Sequence, residues 1–129
     1  MKEFALRIVG LFRALPKSAE GGILGRQLLR AGTSVAANYR AACRGRSRAE
    51  FIARLGVVVE EADEAVFWLE LLRDAKVFPK TRLESLLREA NELLGIMSSS
   101  HRTAKRPVPK SPNHQIAKSP NDPIHSRTL

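Results

Sequence analysis

The sequence predicts an all-α fold: an antiparallel up-and-down four-helix bundle over residues 1–98, followed by a disordered, low-complexity basic tail over residues 99–129. Apolar residues recur at spacings of three and four in four successive segments, and no segment alternates with the period of two that is typical of strands. Beyond residue 98 the chain contains five of its seven prolines and few large apolar residues. Such a segment buries too little surface to offset its conformational entropy.

The first two predicted helices span residues 2–15 and 23–44. Pro16 and the glycine pair at 21–22 separate them, because proline and glycine interrupt helices. Gly45 follows the second helix as a typical C-terminal stop. The second helix is rich in alanine, glycine and serine, and small side chains let helix axes approach closely. We therefore expect this helix to pack against two neighbours.

Two capping boxes predict where the third and fourth helices begin. Ser47 and Glu50 form the first box, and Thr81 and Glu84 form the second. Apolar stripes follow both boxes and continue to residue 72 in the third helix and to residue 97 in the fourth. The third helix has apolar residues beyond its core stripe, namely Ile52, Val57 and Phe67. A surplus of this kind favours a subunit interface, so we expect a homo-oligomer.

A basic face is the most informative feature for function. On a helical projection Arg26, Arg30, Arg40 and Arg44 lie within about 40° of one direction, opposite the apolar stripe, and Arg46 and Arg48 extend the face into the next turn. No acid occurs between residues 21 and 49. One interpretation is that these arginines pair with the acidic run at residues 60–64, within or between subunits. The other is that they bind phosphates, which guanidinium groups match with two parallel hydrogen bonds.

The formal net charge of +9 makes an anionic partner the first to consider. Residues 101–129 carry six basic residues and one acid, and they contain KSPN twice. This tail is interpreted either as a low-complexity extension or as a basic arm for nucleic acid; its prolines and asparagines favour the former. Exposed aromatic residues, which stack on unpaired bases, are nearly absent from the basic face, since only Tyr39 is close.

The sequence predicts neither an enzyme nor a cofactor or metal site. All three histidines fall at residue 101 or later, and the single cysteine, Cys43, has no partner for a disulfide or a zinc site. No apolar run is long enough to span a membrane, and the first twelve residues are typical of an amphipathic helix rather than of a secretory signal. We therefore expect a cytoplasmic protein without a membrane or small-molecule partner.

The segment LLRAGTSVAANYRAACRGRSRAEFIARLGVVVEEADEAVFWLELL at residues 28–72 resembles the four-helix bundle proteins named after the 23S ribosomal RNA intervening sequence. The resemblance covers about residues 4–97. Its most specific part is the pattern R-A-x-x-S-V-x-x-N, which contains Arg30, Ser34 and Asn38, followed by R-S-x-x-E-F. Ala41 departs from the family pattern, in which many members have glutamate.

This resemblance implies a bundle that assembles as a ring, with the pentamer favoured, and that belongs to no recognised enzyme class. It also implies nucleic acid as a partner, RNA more than DNA. A structurally similar group, the accessory proteins of diversity-generating retroelements, binds nucleic acid and a reverse transcriptase. A scaffold whose basic face docks an acidic protein surface is therefore the alternative. Asn38 and Ser34 are expected as polar residues of the core, where a single amide can fix register or assembly.

Overall fold

Four helices follow one another through residues 1–107, the part of the chain that the computed structural model describes. Their bounds are α1 Lys2–Ala14, α2 Ala19–Cys43, α3 Arg48–Asp74 and α4 Lys80–Lys105. Each helix contacts the next one along the chain, and α1 also contacts α4. Short turns reverse the chain between consecutive helices, so the predicted all-α four-helix bundle is confirmed. The predicted tail from residue 108 onward lies outside the described residues.

An apolar core joins the four helices. Every helix contributes side chains that are almost completely buried, among them Phe4, Ile8, Leu28, Leu55, Leu69, Leu72 and Leu83. These residues come from the stripes that the periodicity predicts. Phe78, in the turn before α4, is also buried, although it belongs to no stripe. Within residues 1–107 no polar or charged residue is buried, so burial of apolar surface is the main stabilising term.

Two glycines bring α1 and α2 into close contact. A Cβ atom at Gly25 would lie 2.7 Å from Leu15 Cδ1, and one at Gly32 would lie 2.8 Å from Ile8 Cγ1. Neither distance is compatible with a methyl group at that position, so α1 packs directly against the backbone of α2. This contact and the more extensive one with α3 agree with the expectation that α2 packs against two neighbours.

Gly32→Ala is expected to lower the free energy of unfolding by about 1 kcal/mol, because overpacking costs about 1–3 kcal/mol and better helix propensity returns about 1. Ile8 cannot move aside easily, since its β-branched side chain is stiff at χ1. The matched control is Gly95→Ala, where a Cβ would meet nothing within 4 Å; here the propensity gain should raise stability. Urea unfolding of both variants measures the difference, and stabilisation by Gly32→Ala would contradict the close packing.

The start of α2 differs from the prediction. The helix begins at Ala19, four residues earlier than expected, because the Ser18 side chain caps it by accepting a 3.1 Å hydrogen bond from the Gly21 backbone N–H. Gly21 therefore lies inside the helix rather than in a separating loop. A Cβ there would lie 2.5 Å from the carbonyl oxygen of Pro16, so glycine permits the tight turn between α1 and α2.

Both ends of α4 also differ from the prediction. The helix begins at Lys80 after Pro79, without a side-chain cap, so the box predicted at Thr81 and Glu84 is wrong. It ends at Lys105, so residues 99–105, which we expected in the disordered tail, are helical. The apolar face continues through this segment on Met97, His101 and Ala104, all wholly or partly buried at helical spacing. Pro107 then disfavours helical backbone at Arg106, which is extended.

Candidate nucleic-acid interface

The six predicted arginines occupy different environments in the bundle. The four on α2 and its C-cap, Arg26, Arg30, Arg40 and Arg44, are exposed, as is Arg46 in the α2–α3 turn. Arg48, the first residue of α3, is partly buried. The expectation that the α2 arginines project away from the core therefore agrees with the structure. Their partners nevertheless separate them into three groups.

Arg30 is paired with the acidic run of α3 in the same chain. Its Nη1 lies 3.1 Å from Glu61 Oε1, and its Nη2 donates to Glu64 Oε1. Desolvation lowers the pKa of Arg30, but the hydrogen bonds that Arg30 donates to the two glutamates, together with their charges, outweigh it, so the pKa is raised. For Arg30 the structure therefore agrees with the pairing interpretation, because its charge is neutralised by a neighbouring helix.

Arg48 is engaged by backbone carbonyls rather than by solvent. Its Nε and Nη2 donate to the Ala104 carbonyl at 3.2 Å and 2.7 Å, and Nη2 also donates to the Arg106 carbonyl. The last carbonyls of a helix lack partners within it, and a cationic side chain can satisfy them. Arg48 therefore caps the C-terminus of α4, a role that helical spacing in the sequence does not predict.

Arg44 and Arg46 are the most available of the six. Neither forms an ion pair with any residue between 1 and 107, and the same holds for Arg40 one turn earlier. The nearby acid Glu50 accepts instead from the Arg46 backbone N–H at 3.4 Å. Ser47 caps α3 by accepting from the Glu50 N–H, as predicted, but Glu50 accepts from the Arg46 N–H rather than from the Ser47 N–H, so only half of the first predicted capping box forms. Arg26 has no ion pair within the described residues either, but it lies 18 residues before Arg44, roughly 27 Å away along α2.

The end of α4 adds basic residues from a segment that the sequence predicts as part of the tail. Because Arg48 binds the last carbonyls of α4, the exposed residues Arg102, Lys105 and Arg106 lie at the same end of the bundle as the α2–α3 turn. We call Arg44, Arg46, Arg102, Lys105 and Arg106 the basic end. Residues 38–56 and 94–107 together contain eight Lys and Arg residues and a single acid, Glu50. This excess of one sign produces a positive potential that attracts polyanions.

Asn38 and Ser34 lie at the boundary between α2 and α3 and are only partly buried. Asn38 Nδ2 donates to the Ser34 carbonyl and to Ser34 Oγ, both at 2.9 Å, and Asn38 Oδ1 accepts from Arg54 of α3 at 3.5 Å. The predicted core position is therefore wrong: Ala31, Val35 and Ala42 are the buried residues on this part of α2, and Asn38 and Ser34 lie beside them at the rim. The amide is satisfied mostly within its own helix.

The three residues predicted for a subunit interface lie on α3. Phe67 is 52% exposed and Val57 36% exposed, while Ile52 is partly buried. Trp68, which the sequence analysis did not single out, packs edge-to-face on Phe67 with ring centroids 4.9 Å apart, and its Nε1 donates to Glu64. An exposed Phe67 packed on a partly buried Trp68, beside a carboxylate, is the kind of surface that a protein partner covers.

His101 corrects one step of the sequence argument. We expected a bundle without histidine, but α4 includes His101, whose imidazole lies about 3.2 Å from the position of a Cβ atom on Gly56. No hydrogen bond joins this ring to Cys43 in the described part of the chain. Among residues 1–107, no group of three His, Cys, Asp or Glu residues could hold a metal ion. No helix within this range is long and apolar enough to cross a membrane.

Comparisons with known proteins agree with the fold. The family model described as 23S rRNA-intervening sequence protein matches residues 1–99. One similar solved structure, at 1.70 Å resolution, is a protein with unknown function from the S23 ribosomal protein family of Bacteroides thetaiotaomicron VPI-5482. The two chains are 36% identical with a TM-score of 0.72, over 78% of this chain and 93% of that one. A search of curated proteins finds no match.

Proposed function

Because the chain belongs to the 23S rRNA-intervening sequence protein family, we propose that it is a cytoplasmic, non-enzymatic homo-oligomer, with the pentamer favoured, that binds RNA. Binding is through phosphate contacts and has little sequence preference. Phosphate contacts of this kind need closely spaced positive charge and no base-reading motif. The exposed part of the predicted arginine face, from Arg40 to Arg46, supplies such charge, whereas Arg30 is already paired and Arg48 is engaged.

The single observation that carries this proposal is the availability of Arg44 and Arg46. Both side chains are exposed, neither forms an ion pair within residues 1–107, and the one acid beside them is bound to the turn backbone. Unpaired surface arginines repel each other, so a structural role alone does not explain why they are gathered. A polyanion would relieve that repulsion and release its condensed counterions.

Structured RNA is favoured over unpaired strands. Proteins that bind single strands without sequence preference stack the bases on exposed aromatic side chains. Near the basic end, Tyr39 and Phe51 are both partly buried and pack against the core. The surface therefore offers charge without stacking platforms, which suits the phosphate backbone of a folded or double-stranded RNA.

A protein-interaction scaffold, for example an accessory subunit of a reverse transcriptase, is the second candidate. The exposed Phe67 favours it, because half of this aromatic ring is left uncovered by residues 1–107 while its neighbour Trp68 is only partly buried. In this form the scaffold differs from the one expected from the sequence, which used the basic face: a protein partner or a second copy would contact the outer face of α3, and RNA would contact the basic end. Both can therefore hold for one molecule.

The proposal is tested by titrating the full-length protein against a duplex RNA, a single-stranded RNA and a duplex DNA over a salt series. We expect affinity for the duplex RNA to fall linearly on a log–log plot, with a slope of about −0.9 for each phosphate contact by analogy with duplex DNA. Affinity for the single strand should be weaker at every salt concentration. Absence of binding to any nucleic acid at about 50 mM salt, where such contacts are strongest, would refute the proposal and favour the scaffold.

A further inference from the structure

We propose that the last turn of α4 forms the second half of the RNA site and that Arg48 is the positioning residue which holds this turn beside the α2–α3 turn. The inference rests on the proposed function, because it assigns further residues to the same phosphate-binding surface. It also changes the expected role of Arg48. Instead of contacting phosphate, Arg48 fixes the backbone that carries Arg102 and Lys105.

Two contacts attach the end of α4 to α3. The imidazole of His101 lies against Gly56, at a distance that the missing side chain of glycine makes possible. One turn later, Arg48 reaches the carbonyls of Ala104 and Arg106. Helix ends fray when their last carbonyls lack partners, so these contacts keep residues 101–105 helical and hold Arg106 beside them.

Most of the Arg48 guanidinium is already occupied by hydrogen bonds, so few of its donors remain for a ligand. Its side chain is partly buried, and Nε and Nη2 together make three hydrogen bonds to α4. A guanidinium that binds phosphate with two parallel hydrogen bonds would have to release at least one of these carbonyls. A lysine at this position would keep the charge but offers a single nitrogen on a flexible stem, which cannot reproduce the fork.

The held turn contributes charge that no acid within residues 1–107 neutralises by an ion pair. Arg102 and Lys105 are exposed, neither forms an ion pair within residues 1–107, and no acid occurs from residue 94 to residue 107. Together with Arg44 and Arg46 they provide four cationic side chains from two separate segments at one end of the bundle. Two segments can contact successive phosphates across a wider stretch of backbone than one turn can reach.

The test measures the affinity of full-length variants for one duplex RNA at about 100 mM salt. Arg102→Ala/Lys105→Ala should lose roughly 10- to 60-fold in affinity, since each lost phosphate contact is worth a factor of up to about eight at this salt. Arg48→Lys should also lose affinity even though it keeps the positive charge, but its loss should be smaller than that of the double variant. Combining all three changes should add nothing to the double variant, because Arg48 acts through the other two residues. Arg13→Ala/Arg88→Ala is the control; it removes the same charge from exposed positions outside the basic end.

Amide hydrogen exchange separates positioning from direct contact. In Arg48→Lys the amides of residues 102–106 should exchange faster than in the wild type, because the last carbonyls of α4 lose their partners. If Arg48→Lys binds RNA as tightly as the wild type, the positioning role is refuted. If Arg102→Ala/Lys105→Ala behaves like the control while Arg44→Ala/Arg46→Ala loses affinity, the inference fails and the proposed function stands. If none of the variants loses affinity, both fail.

Discussion

Replacing Arg44 and Arg46 with glutamate should lower the affinity for duplex RNA by about 100-fold or more at about 100 mM salt. Each arginine that contacts a phosphate releases about 0.9 of a counterion, which is worth a factor of about eight at this salt, so two lost contacts account for about 60-fold. The glutamates then repel the phosphates, which increases the loss. Fluorescence anisotropy with a labelled duplex RNA measures the change.

The control for this charge reversal is Arg13→Glu/Arg88→Glu, which changes net charge equally at exposed positions on α1 and α4. The loss of RNA affinity in this control should be far smaller. Its glutamates repel the phosphates only at long range, and salt screens that repulsion beyond about 10 Å at 0.1 M. Equal losses in the two variants would mean that RNA responds to the net charge of the protein and to no particular surface. Circular dichroism of both variants verifies that the helices remain folded.

Leu69→Ala should lower the free energy of unfolding by about 2–5 kcal/mol, the range for removing a fully buried leucine side chain. Leu69 has no exposed surface and belongs to the core cluster that joins all four helices. Its truncation leaves a cavity that the long helices around it cannot close without moving. Urea unfolding followed by circular dichroism measures the loss, at one protein concentration because assembly would make stability depend on concentration.

Leu6→Ala is the matched control, since the same substitution is made where the side chain is 61% exposed on α1. Its effect should stay within about 0.5 kcal/mol, as for most surface substitutions. A loss at Leu6 as large as that at Leu69 would indicate that the exposed face of α1 is covered in the folded assembly. Such a result would contradict the view that the single four-helix bundle, without contacts to other copies, is the unit that folds.

Apolar periodicity predicted the fold class because α1, α3 and α4 each place large side chains toward one core. Apolar periodicity gave the wrong helix bounds where small or polar residues make the packing contacts. The glycine pair at 21–22 suggests a loop by residue type, but Gly21 lies within α2, where a Cβ atom would collide with the carbonyl oxygen of Pro16. The segment from Ser98 to Ser100 suggests the end of the bundle, yet the helix continues through it because His101 packs against Gly56 and Arg48 binds the Ala104 carbonyl.

The candidate site was predicted only in part, for a reason of the same kind. Helical spacing places Arg30 and Arg44 on one face, but it cannot show that Glu61 and Glu64 reach Arg30 from the next helix. Nor can it show that Arg48 binds carbonyls 56 and 58 residues away in the chain. Partners of this kind depend on the register between helices. They decide which arginines remain available, so the site changed from a stripe along α2 to one end of the bundle.

The salt dependence of duplex RNA affinity for Arg44→Ala/Arg46→Ala, measured beside Arg13→Ala/Arg88→Ala, tests the central claim most directly. Each phosphate contact contributes about 0.9 to the log–log slope, so the first variant should have a slope shallower than the wild type by about 1.8. The control should keep the slope of the wild type. Equal slopes for the wild type and both variants would contradict the claim that Arg44 and Arg46 bind the RNA backbone.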